Sequence, residues 1–84
     1  MKVEMEYDVH ELKILPRYYK DVVSGKKNFE LRKNDRDYKV GDILKLREYE
    51  NGEYTGREGY FRISYILKDC SEYGLMDGYC ILGL

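Results

Sequence analysis

Asn51-Gly52 is the pair of residues that most narrows what this chain can fold into. Both accept the positive φ that a two-residue type I′ turn demands, so the segments on either side are predicted to be antiparallel neighbours. Ile43 to Tyr49 forms the first arm, with Leu44 and Leu46 as its buried positions. Glu53-Tyr54-Thr55 pairs back along it, and Gly56 or Gly59 adds a bulge or a bend. Gly41-Asp42 is the tight turn that launches the first arm.

Alternation marks the other strands. From His10 to Leu15, Leu12 and Ile14 alternate with Glu11 and Lys13. Val3, Met5, Tyr7 and Val9 also alternate with acids, so residues 1–8 read either as an extension of that strand or as a polar, flexible tail. Pro16 then opens a helix over Arg17 to Ser24, because its missing N–H costs nothing in a first turn. Tyr18, Tyr19, Val22 and Val23 form the apolar face of that helix. Gly25 closes it, and Lys20, Lys26 and Lys27 complement its dipole. Phe29 to Lys33 is a strand and Asn34 to Asp37 a polar turn. Tyr60 to Leu67 reads as one strand, with Phe61, Ile63, Tyr65 and Leu67 on one face. A loop over Lys68 to Met76 and an Asp77-Gly78 turn lead to a last strand, Tyr79 to Leu82. The expectation is a mainly β chain of the α+β class, five or six strands with one or two short helices. Short, glycine-broken strands favour a small closed or half-closed barrel, and a single sheet with one helix is the alternative.

With 84 residues this is one domain, 1–84, without room for a separate cofactor domain, and no cofactor is expected. No apolar run has membrane-spanning length and no signal peptide is evident, so no membrane partner and a cytoplasmic location are expected. Cys70 and Cys80 lack CxxC spacing, which gives no metal site, and both read as small hydrophobes rather than a disulfide. The net charge of −1 argues against a general, sequence-blind nucleic-acid binder. Residues 26–39 nevertheless hold six basic residues against three acids, a local net of +3. Such a patch suits a small anionic ligand or a short stretch of RNA, and equally a plain polar surface.

Within that patch Glu30 and Arg32 share one face of their strand while Phe29 and Leu31 share the other. One face can enter a core while the other displays a charge pair, with Lys27 just ahead. The bland reading is a solvated edge strand carrying an exposed ion pair. The spacing Gly25-x-Lys27-x-x-Glu30-x-Arg32, however, resembles the G-x-K-x-x-E-x-R signature of the ASCH domain (activating signal cointegrator homology). His10 to Pro16, Phe29 to Asp37 and Val40 to Tyr49, with its Val-Gly-Asp turn, resemble a small single-domain branch of that family found in bacteria and phages. The resemblance covers about residues 10–83. It implies a PUA-like β-barrel whose cleft, between barrel and helix, binds RNA or a nucleotide. One related type is an amidohydrolase acting on acetylated cytidine through a lysine, a threonine nucleophile and a downstream glutamate. Lys27 holds the lysine position, but Glu30 stands where the threonine would be and cannot replace a hydroxyl nucleophile. Glu72 is a loose candidate for the downstream glutamate.

Lys27 and Arg32 are therefore expected to hold a phosphate or carbonyl oxygen. Glu30 would accept from a base amine or orient both cations. Lys33, Asn34 and Arg36 would border the cleft, Lys13 and His10 would flank the helix entry, and Tyr19 or Tyr18 would stack on a base. The structural alternative makes Glu30 and Arg32 a buried pair that fixes the barrel, residues 33–36 an exposed turn, His10 a structural or surface residue and most tyrosines core. The leading functional expectation is a non-catalytic RNA- or nucleotide-binding module. A small hydrolase using Lys27 and Glu30 and a phage-derived protein-interaction domain are the alternatives.

Overall fold

The computed structural model describes residues 6–84. The alternation at Val3 and Met5 lies outside the described residues. Six strands and one α-helix follow in the order β1 (Val9–Ile14), α1 (Pro16–Val23), β2 (Phe29–Lys33), β3 (Ile43–Glu50), β4 (Glu53–Arg62), β5 (Tyr65–Lys68) and β6 (Tyr79–Gly83), with a 3-10 turn at Ser71–Tyr73. The fold is mainly β, of the α+β class.

The central hairpin forms as its turn residues dictate. Asn51 and Gly52 take φ of 52° and 83°, both left-handed. Arg47 faces Glu58 and Tyr49 faces Tyr54, so Glu48 alone opposes three residues, and Gly56 at φ 97° supplies the bulge. A Cβ on Gly52 would meet nothing within 4 Å. Gly52→Ala is thus expected to cost only the left-handed backbone penalty, ~1–2 kcal/mol, in a urea melt.

The helix starts at Pro16, with Leu15 extended ahead of it. Its buried face is narrower than the sequence pattern implies: Tyr19 and Val22 enter the core, while Tyr18 and Val23 face out. Gly25, at φ 82°, closes the end by donating its N–H to the Val22 carbonyl, 3.1 Å. The Lys27 N–H then bonds back to the Asp21 carbonyl, 2.9 Å, which folds the basic stretch against the helix end.

The strands do not close into a barrel. They form two three-stranded sheets, β1-β3-β4 and β2-β6-β5. β1 runs parallel to β3, with Leu12 opposite Leu46, and the other pairings are antiparallel. Closure would need main-chain bonds along the free edge of β1. There the Glu11 and Lys13 carbonyls instead accept from the Arg36 and Arg32 guanidiniums, at 2.8 and 2.9 Å. The seam beside β1 is stitched by arginine side chains, which leaves room for a cleft.

The expected strand Tyr60 to Leu67 is two strands. β4 runs to Arg62, Ile63 and Ser64 turn a corner, and β5 starts in the other sheet. Ile63 bonds the Gly41-Asp42 turn in both directions at 2.8 Å, and the Ser64 N–H bonds the Gly83 carbonyl, also at 2.8 Å. The corner breaks the alternation. Ile63 is fully buried, but Tyr65 and Leu67 face out, and Ile66 packs against the core.

Leu12, Ile14, Leu44 and Leu46 from the first sheet meet Tyr19 and Val22 of the helix, Ile63 of the corner, Tyr38, and Cys80 and Leu82 of the second sheet. Both cysteines are free, Cys80 buried and Cys70 half-buried. Among the described residues no helix is long and apolar enough to cross a membrane.

Candidate functional site

The site is built on β2, and its charged face points inward. Glu30 is 3% exposed, whereas Phe29 and Leu31 are 43% and 56% exposed. This reverses the expected display of the ion pair. The pairing with β6 explains it: Glu30 lies opposite Leu82 and Arg32 opposite Cys80, both fully buried, so this face belongs to the core side of the sheet.

A buried carboxylate is costly unless it is paired and hydrogen-bonded. Glu30 is both. Lys27 Nζ donates to Oε1 and also to the Phe29 carbonyl, the latter at 2.6 Å. Arg32 donates to Oε2 through Nε at 2.9 Å, and its Nη2, in ion-pair contact with Oε2 at 2.7 Å, donates to the Lys13 carbonyl at 2.9 Å. Two cations and one anion leave a net positive floor. Among the described residues, Arg32 Nη1 and one N–H of the Lys27 ammonium have no protein acceptor.

Above this floor opens a cleft of about 440 Å³, walled by Ile14 at the end of β1, by Leu15 just after it, by Tyr18 of the helix and by Phe29 and Leu31 of β2. The Lys27 ammonium lies 4.9 Å from the Phe29 ring and 5.6 Å from the Tyr18 ring. Arg17 covers Tyr18 at 4.7 Å. An aromatic edge beside a guanidinium fork and an ammonium can hold a flat, polar, anionic molecule.

Of the residues expected from sequence, Lys27, Glu30 and Arg32 are brought together. Lys13 contributes to the lining, but its ammonium sits over the Tyr49 ring at 4.3 Å, on the outer face of the first sheet. Tyr19 is a correction: one helix position from Tyr18, it points into the core, because helical neighbours differ by about 100°. Lys33 and Arg36 line a separate, smaller pocket of about 170 Å³ with Arg32, Asp35, Leu12 and Tyr38. Burial there pushes the Tyr38 phenol pKa up, against the opposing pull of Arg36 and Arg32. Asn34 lines neither cavity and ties its N–H to the Gly78 carbonyl, 2.8 Å. Glu72 sits in the 3-10 turn and does not line the cleft.

His10 has a structural place. It is buried, bonded through Nε2 to Asp42 at 2.8 Å, and packs edge-on against Tyr38. The apolar walls Ile14, Leu15, Phe29 and Leu31 were not anticipated as site residues. The available signal was Lys27 three positions ahead of Glu30, two cations able to neutralise an inward carboxylate. A further buried carboxylate, Glu48, lies under the bulge. Its pKa is lowered, first by the Arg57 hydrogen bond and then by Thr55, against burial. Among the described residues no cluster of three His, Cys, Asp or Glu is placed to hold a metal.

A family model described as "Domain of unknown function (DUF3850)" matches residues 9–84. The chain is also similar to an uncharacterised 12.9 kDa protein encoded in the GpA 3′ region of Escherichia phage P2, 45% identical over 56 residues. The match takes in 67% of this chain, and the chain spans about half, 51%, of that relative's length.

Proposed function

The chain belongs to the DUF3850 family, a domain of unknown function, and we propose that it is a non-catalytic binding module for RNA or a nucleotide, working in the cytoplasm. The observation that carries the reading is the cleft, where Lys27 and Arg32 converge on Glu30 beneath the Tyr18 and Phe29 rings. A base slides between or against the rings. The free N–H groups of Lys27 and Arg32 take a carbonyl or phosphate oxygen by charge-assisted hydrogen bonds. The resemblance to ASCH domains supports this, because its motif residues Lys27, Glu30 and Arg32 are those that line the cleft. The phage relative fits the bacterial and phage branch of that resemblance.

The binding role is preferred over hydrolysis for two reasons. Both Glu30 oxygens are engaged by cations, and among the described residues the cleft wall carries no Ser, Thr or Cys.

The test is an amide-shift titration of the labelled protein with the four ribonucleoside monophosphates, acetylcytidine and a short mixed-sequence RNA. Saturable shifts at Tyr18 and Lys27 to Arg32 are expected. Tyr18→Ala should weaken binding about tenfold, the loss of one base stack. Because Tyr18 is exposed, its melt should stay within ~0.5 kcal/mol of the parent. No shift from any member of the panel would discard the reading in favour of a protein partner.

A further inference from the structure

We infer that the outer face of the first sheet is a second docking surface, for single-stranded nucleic acid. Its basis is separate from the cleft. The inner face of β1-β3-β4 is covered by the helix and the second sheet, while the outer face carries Glu11, Lys13, Lys45, Arg47, Tyr49, Tyr54, Glu58, Tyr60 and Arg62.

Each cation of this face lies beside a tyrosine ring. Lys13 lies 4.3 Å from the Tyr49 ring centre, Arg47 3.7 Å from Tyr54, Lys45 5.8 Å from Tyr60 and Arg62 5.7 Å from Tyr7. Tyr60 is 61% exposed. Of the ten tyrosines, Tyr7, Tyr49, Tyr54 and Tyr60 lie here beside the positive charge.

The charge balance selects the partner. Four cations stand against two carboxylates, Glu11 and Glu58, which bracket Lys45 and Arg47 at 2.8–4.0 Å. The face is therefore +2 on a chain of net −1. A polyanion is attracted to this face. An acidic peptide would use the cations but not the rings. An unpaired strand of nucleic acid uses both, its phosphates on Lys and Arg and a base on the open Tyr60 ring. The run from Ile43 to Tyr49 gives roughly 20 Å of track.

The experiment measures anisotropy of a labelled oligouridine of about 12 nucleotides, in the size range of single-strand sites, with the full chain at low salt. Binding is expected to weaken about tenfold in Tyr60→Ala and in Lys45→Gln. It should also weaken with salt, at a slope of about −0.7 for each phosphate engaged. Uridine monophosphate shifts at Tyr18 and Lys27 should be unchanged in both variants, which separates this surface from the cleft. Equal affinity of the variants and the parent for oligouridine, or no binding by the parent, overturns the inference whatever the mononucleotide result.

Discussion

Asp42→Ala is expected to remove about 4 kcal/mol of stability, because three donors lose a buried acceptor at about 1–3 kcal/mol each. For a chain of this size the loss lowers Tm by on the order of 20 °C. Asp42 is 1% exposed and holds three donors. Oδ1 accepts the Asp8 N–H at 3.0 Å, while Oδ2 accepts the Lys39 N–H at 3.0 Å and His10 Nε2 at 2.8 Å. A carboxylate only accepts, so Nε2 carries the proton. Alanine would orphan two main-chain amides and a buried imidazole together. It would also loosen the Gly41-Asp42 turn that anchors β3, the start of β1 and the Ile63 corner.

The same carboxylate sets an acid limit. Burial acts to raise the Asp42 pKa, but the His10 hydrogen bond and the Asp8 and Lys39 amides outweigh it, so the folded carboxyl titrates below its ordinary 3.8. A carboxyl with a depressed folded pKa contributes its full stabilisation above the unfolded value. That contribution drains away as pH falls from there through the folded pKa. Urea melts between roughly pH 5 and pH 2 should show this loss in the parent and a flatter profile in Asp42→Asn. Equal slopes in the two proteins would assign the acid sensitivity to other groups.

Glu30→Ala is expected to cost about 3 kcal/mol. The low end of the buried-pair range applies because Lys27 and Arg32 are only partly buried and can turn to the water of the cleft. A loss under ~1 kcal/mol would mark the cluster as an ordinary surface pair. Glu30→Gln is the sharper probe of function. Removing a negative charge beside two cations should, by Coulomb attraction alone, tighten the binding of an anion. If Glu30 serves to aim Lys27 and Arg32, nucleotide affinity instead falls about tenfold, roughly one charge-assisted hydrogen bond. The sign of the change, read by titration calorimetry, distinguishes positioning from mere charge.

Local chemistry was legible without coordinates. The Asn51-Gly52 turn, the Pro16 start and Gly25 end of the helix, and the buried Leu44 and Leu46 all follow from φ preferences and periodicity, which act within a few residues. Lys27, Glu30 and Arg32 were legible as a group from their spacing. The orientation of β2 was not. Alternation says that Glu30 and Arg32 share a face, but which face is inward depends on Leu82 and Cys80, fifty residues away. Tyr18 and Tyr19 were likewise interchangeable in the pattern and became distinct only when α1 docked on the sheet. The two-residue corner at Ile63 and the open seam at β1 depended on long-range bonds, from Asp42 and Gly83 in one case and from Arg32 and Arg36 in the other. Sequence by itself determined where the chain turns, where it is helical and which residues carry the charge. Only the tertiary structure decided which side of each strand faces the core, and hence that a buried carboxylate with two cations forms a cleft floor. Turns are set by the torsions of adjacent residues, whereas facing is set by partners distant in the chain.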